Sequence, residues 1–207
     1  MKKLAFLFAG LLLSAALWAA PSAADDAFEE GLFAQALKSY QEELPNASSD
    51  AQRYKIQLRI AACQYMLGQY AQAAKTVYGY ELPSQPLWKA RFLLYRIQTG
   101  ERVKNTYSPL LPASEEENAS GNLEKWTASQ WEESLTKDYK TLWSLRETLA
   151  NAPIEQETLI LSVKDTDTKR IPTLFDFVLN KWKDSLAAAS RPAPLAKAED
   201  FLAQPFA

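Results

Sequence analysis

Few residue types in this sequence could perform acid–base or nucleophilic chemistry. The chain has no histidine and a single cysteine, Cys63. The lack of imidazole excludes Ser-His-Asp and Cys-His catalysis, zinc sites built on histidine, and pH sensing by imidazole. An enzyme would have to rely on carboxylates, lysine or tyrosine, and the sequence shows no paired carboxylate motif and no glycine-rich phosphate loop. We therefore predict a protein that is not an enzyme and has no catalytic, cofactor-binding or metal-binding residues.

Two acidic clusters have carboxylates that could bind calcium. Glu115, Glu116 and Glu117 are adjacent, and Asp165-Thr166-Asp167 has alternate carboxylates. A calcium loop spaces its ligands around a turn that contains a glycine and ends on a distal glutamate, and neither cluster does so. We interpret both clusters as solvent-facing surface, and Cys63, which follows two alanines, as a buried and unreactive residue.

The tryptophans allow two interpretations. Trp126, Trp131, Trp143 and Trp182 recur at helical spacing with leucines, which is typical of a buried core. The alternative is an exposed aromatic platform for a ligand such as a carbohydrate. We predict the core.

The first residues predict an export signal. Two lysines precede an apolar run, Leu4 to Leu13, and Ser22-Ala23-Ala24 has small side chains where a signal peptidase reads them. Cleavage between Ala24 and Asp25 would remove residues 1–24 and leave 21 basic and 25 acidic residues. A chain with this charge balance is not expected to bind nucleic acid. It has no second apolar stretch long enough to span a bilayer, so no stable membrane anchor is expected after cleavage. The expected location is a bacterial periplasm or the outside of the cell.

Two segments repeat at an offset of 37 residues. Gly31 to Tyr40 aligns with Gly68 to Val77: a glycine, an aromatic two residues on, an alanine three later, and a large apolar residue four further. Glycine tolerates a left-handed turn between two helices, and alanine lets helix backbones approach closely. This period predicts antiparallel helix hairpins.

The repeat resembles the tetratricopeptide family. Ile60, Ala61 and Leu67 stand where that family places a large, a small and a large apolar residue, whereas Gln64 replaces the usual aromatic. The resemblance implies an all-α fold of tetratricopeptide-like antiparallel helix hairpins, an α-solenoid, over residues 25–111. The first helix of a third hairpin is expected from Leu87 to Thr99, and Gly100 is expected to follow it. The second helix of that hairpin would be interrupted by Ser108-Pro109.

The second half is predicted to form a small helical unit, residues 123–189, after a polar linker at 112–122. Apolar residues spaced by three and four predict a long helix from Leu123 to Ala150. A second helix is expected from Ile154 to Val163, and a third from Thr173 to Ala189 with a capping box formed by Thr173 and Asp176. Residues 190–207 are rich in proline and alanine and are predicted to be a linker or an open C-terminal end.

Short motifs in the second half resemble the helical N-terminal region of large bacterial alpha-2-macroglobulin-like proteins. They are Trp126-Thr127, Asn151-Ala152-Pro153-Ile154 and the stretch from Arg170 through Pro172-Thr173-Leu174 to Phe177, in which Ile171 separates the Arg from the Pro. The resemblance covers about residues 85–190. It implies that this chain is a non-catalytic helical part of a protease-trapping protein.

Two function hypotheses stay open. One is a non-catalytic exported scaffold that forms the N-terminal region of such a protein. The other is a free-standing periplasmic tetratricopeptide adaptor that binds a protein or peptide partner in a groove. A hydrolase that uses carboxylates is a third reading, and the sequence favours it least.

Overall fold

The structure, a computed structural model, describes residues 22–113, 122–161 and 167–188. Within these ranges the fold is all-α, as predicted, with eight helices and no strand. The helices are α1 (Ala23–Glu29), α2 (Phe33–Glu43), α3 (Asp50–Met66), α4 (Tyr70–Gly79), α5 (Pro86–Tyr107), α6 (Ala128–Ser144), α7 (Arg146–Ala150) and α8 (Leu174–Ala188).

Each helix from α1 to α5 packs against the next one along the chain. The turns α1–α2 and α3–α4 contain Gly31 and Gly68, whose φ angles of +79° and +75° lie in the left-handed region. Ala36 and Ala73 follow at equivalent positions and are completely buried. The predicted role of both repeat glycines and both alanines is confirmed.

Asp25 connects the first three helices. Its carboxylate accepts hydrogen bonds from Tyr40 Oη of α2 at 2.7 Å and from Lys55 Nζ of α3 at 2.6 Å. Burial raises the pKa of this carboxyl, but the hydrogen bonds from Lys55 and Tyr40 outweigh it and leave the pKa below its ordinary value. Asp25 also completes a capping box with Ser22 at the start of α1.

Helix α5 continues beyond the predicted end at Thr99, and Gly100 lies inside it. The prediction that Gly100 follows the helix is wrong. A Cβ at this position would lie 3.1 Å from Leu135 Cδ2 and 3.2 Å from Trp131 Cζ3 of α6. The close approach of α6 therefore explains the glycine. Helix α6 is the partner of α5, in place of the interrupted helix that was expected after Gly100.

The predicted helix from Leu123 to Ala150 is in fact a short 3-10 turn followed by α6 and α7. Thr127 has extended backbone angles and forms a capping box with Gln130, which fixes the start of α6 at Ala128. At Leu145 the backbone leaves the helical region, and its amide donates to Leu142 O in a tighter turn.

The predicted helix from Ile154 to Val163 is also wrong over its described part, since only Ile154–Gln156 forms a 3-10 turn. The amide of Ile154 donates to Pro172 O at 3.0 Å, and Pro153 and Thr173 form an isolated bridge. This pairing with the segment before α8 holds the chain in an extended form at the point where a helix would start.

The two predicted halves share one core. Ala90, Leu93, Leu94 and Ile97 of α5 belong to the same buried cluster as Leu135, Tyr139, Leu142, Leu174, Val178 and Trp182. Helix α8 starts with the predicted Thr173–Asp176 capping box and packs on α6 and α7. The Trp182 ring stacks on Tyr139 with centroids 5.3 Å apart.

We expect Gly68→Ala to destabilise the protein by about 1–2 kcal/mol, the cost of a left-handed conformation for a residue with a Cβ. The space around Gly68 is open, so the cost is conformational rather than steric. Gly79→Ala is the matched control, because Gly79 has similar space, lies at the end of α4 and has no positive φ. It should be neutral or slightly stabilising in urea melts. Equal effects of both substitutions would contradict the left-handed turn.

Trp182→Ala should cost about 3–5 kcal/mol, as large aromatic deletions in cores do. Trp182 is 3% exposed and stacks on Tyr139, so truncation leaves a cavity against α6. Lys183→Ala, an exposed neighbour on the same helix, is the control and should leave the melting temperature unchanged. Equal melting temperatures for the two variants would show that Trp182 contributes no core packing.

Candidate functional site

In the part of the chain that the structure describes, the acidic residues form no cluster that could bind a metal ion. Glu115–Glu117, Asp165 and Thr166 lie outside the described residues, and Asp167 is exposed. No group of three histidine, cysteine or acidic residues within residues 22–113, 122–161 and 167–188 could hold a metal ion. Cys63 is completely buried, and burial raises the pKa of its thiol to about 11, so little reactive thiolate forms at neutral pH.

The tryptophans divide between core and cleft. Trp131 is completely buried and Trp182 nearly so, which confirms the core prediction for these two. Trp126 and Trp143 are half-buried. The Trp126 and Trp131 rings are 4.9 Å apart and both contact Tyr78 edge to face, so they form one aromatic group beside a cleft.

A polar groove lies between α3, α5, α6 and α8. It consists of two adjoining clefts of about 310 Å³ and 860 Å³ that share four residues, Glu101, Asn105, Phe177 and Lys181. Helix α8 lies across the groove from α5, and the 2.9 Å ion pair between Lys181 and Glu101 connects the two helices.

Glu101 is the centre of this polar groove. Its Oε1 accepts from Tyr139 Oη at 3.0 Å, and its Oε2 accepts from Lys181 Nζ at 2.9 Å. Burial, and then the charge of Glu101, raise the pKa of Tyr139, so Tyr139 donates as a neutral phenol at every physiological pH. A second ion pair, Lys104–Glu132 at 3.2 Å, lies further along the groove.

The side chains that line the polar groove offer mainly hydrogen-bonding groups. Gln98, Asn105 and Asn180 offer amide donors and acceptors, and Arg102 donates to Tyr65 Oη at 3.1 Å. None of these groups is a nucleophile next to a base, and the charged groups at the centre are neutralised in pairs. Such a surface can hydrogen-bond an extended polypeptide.

An apolar cleft of about 890 Å³ lies elsewhere, between α4, the end of α5 and the start of α6. Its main apolar lining is Tyr78, Val103, Tyr107, Leu111, Trp126 and Trp131. The pair Lys75–Glu124, at 3.8 Å and largely exposed, lies at its rim.

Asp138 is the most unusual charge in the core. It is 6% exposed, and its Oδ2 has no hydrogen-bond partner among the described residues. Burial raises the pKa of this carboxyl to about 6, although the nearby Arg96 guanidinium opposes the shift. Arg96 itself donates to Tyr78 O at 3.1 Å and lies over the Tyr78 ring.

Sequence reasoning missed Glu101, Asp138 and Lys181. Asp138 could have been found, because it lies on the same helical face as Leu135 and Leu142, three and four residues away, where a charge is unexpected. Lys181 forms a 2.9 Å ion pair with Glu101. Residues 80 positions apart leave no local pattern from which such a pair could be predicted.

Comparisons with known proteins give no relative for this chain: no family model, curated protein or solved structure matches it. Among the described helices, none is long and apolar enough to cross a membrane.

Asp138→Asn should change how stability depends on pH. The pKa of Asp138 is about 6 in the folded protein against 3.8 for an aspartate carboxyl in water, so the folded state binds more protons between about pH 4 and 6. The stability from the protonated carboxyl is complete below about pH 4 and is lost as the pH rises through 6. The asparagine variant should therefore be more stable than the parent by about 1–3 kcal/mol at pH 8, with the difference shrinking toward pH 4.

Urea melts from pH 4 to 8 measure this difference. Glu133→Gln, which removes an exposed carboxylate from the same helix, is the control and should show no comparable trend. A constant difference between Asp138→Asn and the parent across this range would contradict the raised pKa.

Proposed function

We propose that this chain is a non-catalytic, exported helical scaffold that binds a protein or peptide partner. The observation that supports this function best is the polar groove centred on Glu101, because it is built from three hairpin helices and α8 and offers many hydrogen-bonding side chains. An extended peptide has unpaired backbone donors and acceptors along its length, and the amides of Gln98, Asn105 and Asn180 are suited to pair with them.

The charges of the polar groove favour a peptide that carries both signs or none. Glu101 is compensated by Lys181, and Lys104 by Glu132, at 2.9 Å and 3.2 Å. A strongly charged ligand would have to break one of these partly buried pairs, which costs more than breaking an exposed pair. Binding would then come mainly from hydrogen bonds and from packing on Phe177, which lines both clefts.

Asn105→Trp tests the groove directly. Asn105 is exposed and lines both clefts, so an indole there would fill the shared region. Thr106→Trp is the matched control, since Thr106 is the exposed next residue of α5 and lines neither cleft. We expect a partner that co-purifies with the exported parent chain and with the Thr106 variant to be lost from the Asn105 variant, as measured by quantitative mass spectrometry. Equal recovery from all three chains would contradict binding in this groove.

A second candidate is the N-terminal region of an alpha-2-macroglobulin-like protein. It is favoured by backbone hydrogen bonds between two of the motifs that carry the resemblance, residues 151–154 and residues 170–177. Ile154 N donates to Pro172 O at 3.0 Å, and Leu174 N donates to Ala152 O at 2.9 Å. The deciding test is the reading frame beyond Ala207: strands typical of sandwich domains would support this candidate, and a stop codon would support the free-standing tetratricopeptide adaptor.

Export is part of the proposal, and cleavage between Ala24 and Asp25 stays a prediction. Mass spectrometry of the mature N-terminus should find Asp25 or a residue within a few positions of it. Recovery of the intact Met1 end from the cell envelope would contradict export.

Cleavage at that bond would carry a structural cost. Ser22 caps α1 and Ala24 is completely buried, so a chain that begins at Asp25 loses both and gains a charged amino group at the helix start. We expect it to be about 1–3 kcal/mol less stable than a chain that begins at Pro21. A chain that begins at Ser22 is the control and should match the Pro21 chain in thermal melts. If all three melt together, the cap and Ala24 contribute nothing.

A further inference from the structure

We propose that the apolar cleft is the binding site for residues 189–207 of the same chain. This inference does not depend on export or on the polar groove, because the apolar cleft and the polar groove share no lining residue. Its starting point is that the cleft leaves apolar side chains accessible to solvent. Tyr107 and Leu111 are half-buried, and Leu110 at the rim is 80% exposed. A groove lined by aromatic and aliphatic side chains can accept an extended segment of matching composition.

Residues 114–121, which connect Leu111 to Leu123 along the chain, have a composition that is poorly suited to cover the apolar cleft. Leu111 and Leu123 lie on opposite sides of residues 114–121, whose sequence is SEEENASG. Its only apolar side chain is the methyl group of Ala119, and three of its eight residues are glutamates. Burying these carboxylates against indole and phenol rings would be unfavourable without cationic partners.

Residues 189–207 have the complementary composition. They contain Leu195, Phe201, Leu202 and Phe206, together with three prolines. Proline-containing extended segments bind aromatic grooves well, since they lose little conformational entropy. Their charged residues are Arg191, Lys197, Glu199 and Asp200, two of each sign, which suits a rim formed by the Lys75–Glu124 pair.

The start of this segment lies near the apolar cleft. Asp184 and Ser185, in the last turns of α8, line the larger polar cleft together with Ser108 and Ala128. Ser108 directly follows Tyr107, which lines the apolar cleft. Phe201 is 13 residues beyond Ala188, and such a length can span up to about 43 Å when extended, which is more than the diameter of a small domain. A tether of this length gives a millimolar effective concentration, so even a weak site is filled.

The test uses a nitroxide label in the cleft of the full chain. Ala71→Cys places a single accessible thiol at the cleft, because Ala71 is exposed and lines it whereas the native Cys63 is buried. In a ¹⁵N spectrum we expect loss of the Phe201–Phe206 amide signals, reversed when the nitroxide is reduced. Replacing Phe201, Leu202 and Phe206 by serine should restore the signals of the remaining tail amides, and the matched change of Lys197 and Glu199 to serine should not.

Two further outcomes would overturn the proposal. Undiminished tail signals, in a chain whose other resonances show an intact fold, would mean that the cleft does not bind this segment. Signal loss that appears only when labelled and unlabelled chains are mixed would mean that the occupant is a second copy. If Ala71→Cys unfolds the chain, the same measurement is made from Gln72→Cys, which is exposed and also lines the cleft.

Discussion

The close contact between α5 and α6 at Gly100 is the constraint on which the rest of the structure depends. With no side chain at this position, Leu135 and Trp131 come within van der Waals distance of the α5 backbone. A glycine inside a helix costs about 1 kcal/mol relative to alanine, so the sequence accepts a local penalty to gain this contact. Because α6 lies directly on α5, α8 packs on α6 and α7 and faces α5 across the polar groove, where Lys181 pairs with Glu101.

A buried ion pair near the start of α5 connects this helix to the segment that follows the 3-10 turn Ile154–Gln156. Arg91 donates from Nε and Nη2 to the two carboxylate oxygens of Glu157 at 2.8 Å and 2.9 Å, and Glu157 is 1% exposed. Such pairs add little net stability compared with apolar packing, but they penalise any arrangement that leaves one partner alone. Together with the bond from Tyr95 Oη to Leu159 O, the pair fixes the position of an irregular segment that has few backbone hydrogen bonds of its own.

The parts of the fold that follow local rules could be predicted from the sequence, and the parts that depend on distant contacts could not. Gly31 and Gly68 recur with their alanines, so the first two hairpins were visible as a pattern. The partner helix of α5 was not visible as a pattern, because a polar stretch separates α5 from α6. The predicted helix also began too early, at Leu123, whereas the capping residue Thr127 starts α6 at Ala128. The helix expected at Ile154 failed for the same reason, since its amide pairs with Pro172, 18 residues later. The groove residues Glu101 and Lys181 were missed because nothing local marks an ion pair across 80 positions.

The position of α5 also determines the order in which the fold can be completed. Helices α1 to α5 follow one another closely and contact their neighbours, so they can pair as soon as they leave the ribosome or a translocation pore. The face of α5 that carries Leu93, Leu94 and Ile97 has to wait for Leu135 and then for Trp182, up to about 90 residues later. Until those residues arrive, the apolar face of α5 has no partner, and an uncovered apolar stripe is the kind of surface that aggregates or recruits a chaperone. The length of chain between α5 and α8 therefore decides how much has to be synthesised before this face of α5 is covered.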